Sequence, residues 1–188
     1  NFATNSYLNG YEDNDRSESY LARVNYNFDT TYFLQASWRR DGSSRFHPDN
    51  RWGNFFSIGT RWNMKREAFL EDVDWVNTLS LRASFGEVGN NMGIGLYAYQ
   101  ALYGITTNGG DAALLKTQLA AKDIKWETTQ NLDIAVETRL FDRVNLSVGY
   151  FDKRSKDLLF DVKLPLSAGS NPWGDYMNMT QLKNIGTI

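Results

Sequence analysis

The segment WRRDGSSRFHPDNRWG holds the chain's only histidine together with residue types that could support catalysis or metal binding. Ser43 or Ser44 with His47 and Asp49 has the composition of a hydrolytic triad. Asp41, His47 and Asp49 have the composition of a metal site. A triad needs a base that a third group orients beside the nucleophile, and a lone histidine with two flexible carboxylates is a poor ligand set. The segment is therefore predicted to be a solvated turn between two strands.

The remaining motifs give no stronger indication of an enzyme. The glycines of GEVGNNMGIG, at 86–95, do not match the G-x-G-x-x-G spacing of a phosphate-binding loop, and no βαβ pattern surrounds them. The absence of cysteine excludes disulfides, thiolate metal sites and cysteine nucleophiles. No catalytic residue, cofactor or metal is predicted from the sequence.

Composition narrows the class of protein. A net charge of −2 and a pI of about 5.4 give no electrostatic reason to expect nucleic acid. No stretch approaches the roughly 18 apolar residues of a membrane helix, and the N-terminal residues lack the pattern of a signal peptide. Aromatic residues make up 14% of the chain although the mean hydropathy is −0.51. This combination is typical of strands in which bulky apolar and polar side chains alternate.

Alternation with period two predicts six strands and a possible seventh. The six cover approximately residues 20–28, 32–39, 56–62, 79–85, 126–140 and 144–162. Tight turns are expected at Asp29-Thr30 and Asp142-Arg143. The spacing of Phe69, Val73 and Val76 predicts a short amphipathic helix within 64–77. Residues 86–124 have no sustained period and are predicted to form a long loop with some local structure of its own.

The strands have one apolar face and one charged face. The charged face is expected to carry Arg23, Arg39, Arg61, Arg82, Asp133, Glu137 and Arg139. Long loops, near 40–52, 86–124 and 164–176, gather at one end of the sheet. Two groups of aromatic residues resemble membrane girdles: Trp38, Trp52 and Trp126 at the long-loop end, and Phe28, Tyr32, Trp62 and Phe141 at the other. A soluble sandwich also alternates, but these features together favour the wall of a transmembrane β-barrel, with the charged face toward its lumen.

Several motifs in order resemble consecutive barrel strands of the SusC/RagA family. They are YFLQASWRRDGSSRF, RWGNFFSIGTRWN, LSLRASFGEVGN, IKWETTQNLDIAVETRLF and GYFDKRSKDLL. The family consists of TonB-dependent transporters in the outer membrane of Gram-negative bacteria. The resemblance implies an all-β fold of antiparallel up-and-down strands in a 22-stranded barrel. Residues 1–188 would be part of that barrel domain, without the plug domain.

The resemblance also implies partners and cargo. A SusD-like surface lipoprotein would help to capture glycan or peptide nutrients, and TonB would supply energy through the parent protein. Aromatic side chains in the long loops, Tyr97, Tyr99, Tyr103 and Trp173, are candidates for stacking on sugar rings or gripping peptide side chains. Loop aromatics pack on their own loops at least as often. The charged-face arginines are expected to pair with acids on neighbouring strands and the plug. Two alternatives stay open: a soluble secreted β-sandwich that binds glycans, and a passive outer-membrane porin or adhesin.

Overall fold

A computed structural model describes residues 10–168 and 179–188. Within this part of the chain there are nine strands: β1 (Ser17–Phe28), β2 (Tyr32–Ser43), β3 (Trp52–Asn63), β4 (Val76–Asn90), β5 (Leu102–Asn108), β6 (Asp111–Gln118), β7 (Glu127–Leu140), β8 (Val144–Lys163) and β9 (Thr180–Thr187). The only α-helix among the described residues is the single turn α1 (Ala68–Glu71), and 3₁₀ turns cover Pro48–Asn50, Met64–Arg66 and Leu166–Ala168.

Seven strands form one antiparallel sheet in the order β1-β2-β3-β4-β7-β8-β9. Each strand pairs with its neighbour in sequence, except that the β5–β6 hairpin is inserted between β4 and β7 as a separate two-stranded sheet. β9 is the seventh strand of this sheet. β1 and β9 each pair along one edge only, so the described sheet is open. No helix in the described residues has the length and apolar character needed to cross a membrane.

Two tight turns join strands at the end opposite the long loops. Asp29 and Thr30 both have positive φ, of 49° and 52°, as a type I′ hairpin turn requires. The second turn is centred on Phe141 and Asp142, with φ of 52° and 54°, one residue earlier than expected. Arg143 N–H donates to the Leu140 carbonyl at 3.1 Å. Arg143 therefore closes the turn and does not form its centre.

The helix expected within 64–77 shrinks to one turn. α1 holds four residues, and Val76 begins β4. Lys65 Nζ donates to the carbonyls of Leu70, Glu71 and Val73 at 2.7, 3.2 and 2.9 Å. These bonds satisfy the carbonyls that end the turn and return the chain to the sheet. Val76, one of the three apolar residues whose spacing predicted the helix, is instead buried in the sheet.

The long loop predicted at 86–124 starts later than expected and contains secondary structure of its own. β4 continues to Asn90, and the β5–β6 hairpin lies within this stretch. The segments 44–51 and 91–126, which we call the cap, also enclose a hydrophobic core at the long-loop end of the sheet. Its buried members are Phe46, Ile94, Ala98, Ala121 and Ile124.

The apolar face ends in a bulky apolar residue in each of six strands, at a boundary that is staggered from strand to strand, since Tyr20 lies opposite Arg40 and Leu132 lies opposite Asp152. Ladder register places Tyr20, Trp38, Phe56, Phe85, Leu132 and Tyr150 at its end nearest the cap. The next residues on that face are polar: Glu18, Arg40, Asn54, Glu87, Gln130 and Asp152. Between this boundary and the tight turns, the face carries no charge. Its threonines, Thr60 and Thr138, donate to strand carbonyls at 3.1 and 2.9 Å, so their hydroxyls are satisfied.

Candidate functional site

The charged face carries all seven of the expected side chains. Register places Arg23, Arg39, Arg61, Arg82, Asp133, Glu137 and Arg139 on the same side of the sheet. Arg39 Nε pairs with Asp41 in its own strand at 2.7 Å, and Arg139 with Asp142 at 3.5 Å. Arg23 makes no ion pair with the described residues. Most of this positive charge is thus matched within the sheet.

A four-residue ion network lies at the centre of this face. Arg61 and Arg82 are directly opposite on β3 and β4, an arrangement that is unfavourable for like charges. Glu137 lies 3.6 Å from Arg61 and 3.5 Å from Arg82. Asp133 lies 3.4 Å from Arg82. The two carboxylates of β7 therefore compensate the two arginines.

The apolar face carries aromatic groups at both ends. At the tight-turn end, Tyr32 stacks on Trp62 with centroids 6.2 Å apart. Glu67 accepts hydrogen bonds from Tyr32 Oη and Trp62 Nε1. These donors lower the pKa of the Glu67 carboxyl below its ordinary value. Phe28 and Phe141 complete this group, and Phe141 stacks on Trp75.

At the long-loop end, one predicted girdle residue lies elsewhere. Trp38 lies on the apolar face, and Trp52 packs against Tyr20 with Arg40 5.0 Å above its ring. Trp126 instead stacks on Phe46 in the cap, with centroids 5.1 Å apart. Its assignment to the girdle was wrong because β7 begins only at Glu127, which frees Trp126 to turn into the cap.

Arg45 fastens the cap to the segment that precedes β1. Its Nη2 and Nε donate to Asp15 Oδ2 at 2.6 and 3.1 Å, and its Nη1 donates to the Ile94 carbonyl at 2.8 Å. The guanidinium lowers the pKa of Asp15, chiefly through these hydrogen bonds. One side chain thereby joins three separate stretches of chain.

Side-chain amides fasten the other side of the cap. Asn184 of β9 accepts from Lys125 N–H at 2.8 Å and donates to the Lys125 carbonyl at 2.9 Å, as a paired strand would. Gln181 Nε2 donates to the Ala120 carbonyl at 2.7 Å. Gln118 Nε2 bridges the carbonyls of Tyr97 and Gln100. The cap is thus a folded unit attached to the wall.

The triad and metal interpretations of the 38–53 segment find no support. Asp49 lies 3.3 Å from His47 Nδ1, but His47 also caps the 3₁₀ turn at Pro48–Asn50. Ser43 Oγ accepts from Arg45 N–H and Asn91, and Ser44 Oγ accepts from Arg16 N–H. Asp41 is engaged by Arg39. The described residues hold no cluster of three metal-ligating side chains.

The loop aromatics have different neighbours. Tyr97 Oη donates to Asp13 at 3.4 Å, and Tyr99 meets His47 edge-on at 5.9 Å. Tyr103 lies in β5 beneath Lys116 and is 56% exposed. Trp173 lies outside the described residues. Ligand contact by these four side chains stays a prediction.

Sequence reasoning did not single out Phe46 or assign a role to Phe55. Phe46 is fully buried, and Phe55 is 5% exposed on the charged face. The one available signal for the burial of Phe55 was an apolar side chain on the polar face of its strand, which Phe55 shares with Ser57 and Arg61. Cap packing decided its burial.

These features define a class of protein: a stretch of β-barrel wall with one apolar face, one charged face and its long loops folded together at one end. A family model described as "TonB dependent receptor-like, beta-barrel" matches residues 1–188. The chain belongs to this family of TonB-dependent receptor barrels, and the resemblance to SusC and RagA is confirmed.

Named relatives agree with this assignment. TonB-dependent receptor P3 of Formosa agariphila is 34% identical over 97% of this chain, which covers 18% of that protein. TonB-dependent receptor SusC of Bacteroides thetaiotaomicron is 33% identical over 90% of the chain, covering 17% of that protein. The chain thus spans under a fifth of the length of these relatives, which are named as receptors.

Solved structures give the same fold. The RagAB peptide importer in its "closed-closed" state matches 91% of this chain with a TM-score of 0.78 and 28% identity, over 18% of that chain. The siderophore receptor PirA of Pseudomonas aeruginosa matches with a TM-score of 0.58 at 14% identity, covering 92% of this chain and 29% of that chain. That second likeness supports the fold alone.

Proposed function

We propose that this chain forms part of the wall and long loops of a TonB-dependent transporter in the outer membrane of a Gram-negative bacterium. The transporter takes up glycan or peptide nutrients together with a SusD-like surface lipoprotein. One observation carries the proposal: between its boundary and the tight turns, the apolar face of an open antiparallel sheet carries no charge, and no other described segment covers it. Residues 1–188 are assigned to the barrel domain of the parent protein.

In this proposal the apolar face contacts lipid and the charged face lines the lumen. Closed barrels satisfy every backbone group without water, and an apolar band between aromatic girdles is typical of their outer surface. The network of Arg61, Arg82, Asp133 and Glu137 supports a lumen position, because each charge has a partner. Arg23 is assigned an acidic partner on the plug of the parent protein.

The two rival functions fit the structure less well. A soluble β-sandwich needs a second sheet over its apolar face, and in the part of the chain that the structure describes no such sheet is present. A passive porin or adhesin accounts for the wall, but family membership favours TonB-driven transport. The description of the RagAB neighbour as a peptide importer supports peptides as one candidate cargo.

The cap end of the wall is proposed to face the medium, because long loops of outer-membrane barrels are extracellular and turns are periplasmic. The β5–β6 hairpin and the side chains of Tyr97, Tyr99, Tyr103 and Trp173 would then be available to ligand and lipoprotein. Cap residues 91–101 and 119–126 hold the hydrophobic core. A test of function should therefore leave them in place.

The experiment removes residues 103–117 from the parent transporter in its native host. We expect slower growth on the nutrients it imports, or loss of the co-purifying lipoprotein, with normal heat-modifiable migration of the barrel on gels. The control replaces Phe141-Asp142 with Asn-Gly, which suits the same type I′ turn and should change neither result. Normal growth and co-purification after the hairpin deletion, with impaired growth after the turn replacement, would reverse the proposed orientation.

A further inference from the structure

The wall has a gap where β3 and β4 separate. Their ladder runs from Asn63–Ser80 to Ser57–Gly86 and ends there. Each strand continues with its other neighbour: β3 pairs with β2 as far as Trp52, and β4 pairs with β7 as far as Asn90. The two strands therefore lack a shared ladder over their last residues next to the cap.

The ring of Phe55 fills this gap. A Cβ added at Gly89 would lie 2.0 Å from Phe55 Cζ, and one added at Gly53 would lie 2.5 Å from the same atom. Neither glycine has a positive φ, so these positions need glycine for space and not for backbone conformation. The ring thus rests directly on two glycine backbones, one in each separated strand.

The same ring reaches the cap. Trp126 meets Phe55 edge-on with centroids 5.7 Å apart, and on its other side it stacks on Phe46 at 5.1 Å. Trp126 Nε1 donates to the Arg51 carbonyl at 3.0 Å, which satisfies its only donor. Phe55, Trp126 and Phe46, which we call the aromatic bridge, therefore run from the gap between β3 and β4 into the centre of the cap core.

We propose that Phe55 is a positioning residue that holds the cap in place at the gap between β3 and β4, and that ligand capture at this end of the wall depends on it. The attachments through Arg45, Gln181 and Asn184 are polar bonds that water can replace, and the apolar side chains of Leu159 in β8 and Leu182 in β9 pack against the cap core while only partly buried. The aromatic bridge is a buried contact without such a substitute. The step from cap placement to ligand capture rests on the proposed function, whereas cap placement itself does not.

The test uses the full-length parent transporter and two matched pairs of variants. Phe55→Ala removes the ring, and its control Phe56→Ala removes the adjacent ring, which lies on the apolar face and is 49% exposed. Gly89→Ala drives a methyl group into the Phe55 ring. Its control Gly59→Ala places a methyl group 3.7 Å from Ser84 Cβ, an ordinary contact.

Three measurements follow the variants. Amide hydrogen exchange of residues 91–101 and 119–126 reports cap placement, and heat-modifiable migration confirms barrel folding. Concentration-dependent uptake of fluorescein-labelled tryptic peptides and of fluorescein-labelled maltodextrins separates the half-saturation concentration from the maximal rate. For Phe55→Ala and Gly89→Ala we expect the rate of amide exchange in the cap and the half-saturation concentration for uptake each to rise ~tenfold. The maximal rate of uptake should be preserved. The two controls should match the unmodified protein.

Unchanged cap exchange in Phe55→Ala and Gly89→Ala, or an equal rise in Phe56→Ala, would overturn the proposal. Increased cap exchange together with an unchanged half-saturation concentration would overturn its second half. If Phe55→Ala does not fold, Gly89→Ala and Phe55→Leu decide the question. If the unmodified protein takes up neither probe, the result counts against the proposed function, while cap exchange still decides the role of Phe55.

Discussion

Arginine introduced at Val148 should be far more costly than arginine at Ser147. Val148 lies within the apolar run of β8, opposite Val136, and its side chain is 61% exposed on the uncovered face. In the middle of a bilayer, an arginine on the lipid face costs ~2–4 kcal/mol. This corresponds to a decrease of ~30-fold to ~1,000-fold in the folding equilibrium constant.

The neighbouring residue supplies the control. Ser147 faces the other way and lies opposite Glu137, so Ser147→Arg places a cation beside a carboxylate in a polar surrounding. The free energy of unfolding of the full-length barrel in lipid vesicles, measured by urea titration with tryptophan fluorescence, should fall only for Val148→Arg. Equal losses for both variants, or a larger loss for Ser147→Arg, would refute the assignment of the two faces.

Three further predictions concern charge and attachment. Glu137→Gln leaves two opposed arginines with one carboxylate and should lower the free energy of unfolding. The loss should be only ~0.5–1 kcal/mol because the ion pairs are half-exposed, and added salt should reduce it in the same urea titration. The Asp15–Arg45 pair lowers the pKa of Asp15. The stabilisation from this pair is therefore complete above about pH 3.9 and is lost as the pH falls through the lower pKa of the folded state. Amide exchange near Ile94 should become faster below that folded-state pKa in the native protein, and it should already be faster at neutral pH in Asp15→Asn. Asn184→Asp replaces a donor with a carboxylate facing the Lys125 carbonyl and should destabilise the 119–126 attachment by ~1 kcal/mol, visible as faster amide exchange there.

Strands and faces could be predicted from the sequence because both depend on local pattern. Alternation with period two fixes which side chains share a face, so Arg61, Arg82, Asp133 and Glu137 were grouped correctly. The turn at Asp29-Thr30 followed from its position between two alternating runs. The second turn was predicted one residue too late. Phe141 is an unusual residue for positive φ, so the more polar Asp142-Arg143 pair was favoured as the centre of the turn.

The sequence by itself determined the class of fold, the two chemical faces of the wall and the end at which its long loops collect. The tertiary structure alone decided the cap, the hairpin within it and the burial of Phe46 and Phe55. The reason is physical: the cap core joins segments far apart in the chain, as in the bond between Trp126 and Arg51, 75 residues away. No local period encodes such a contact, and the space for the Phe55 ring exists only where β3 and β4 separate in three dimensions.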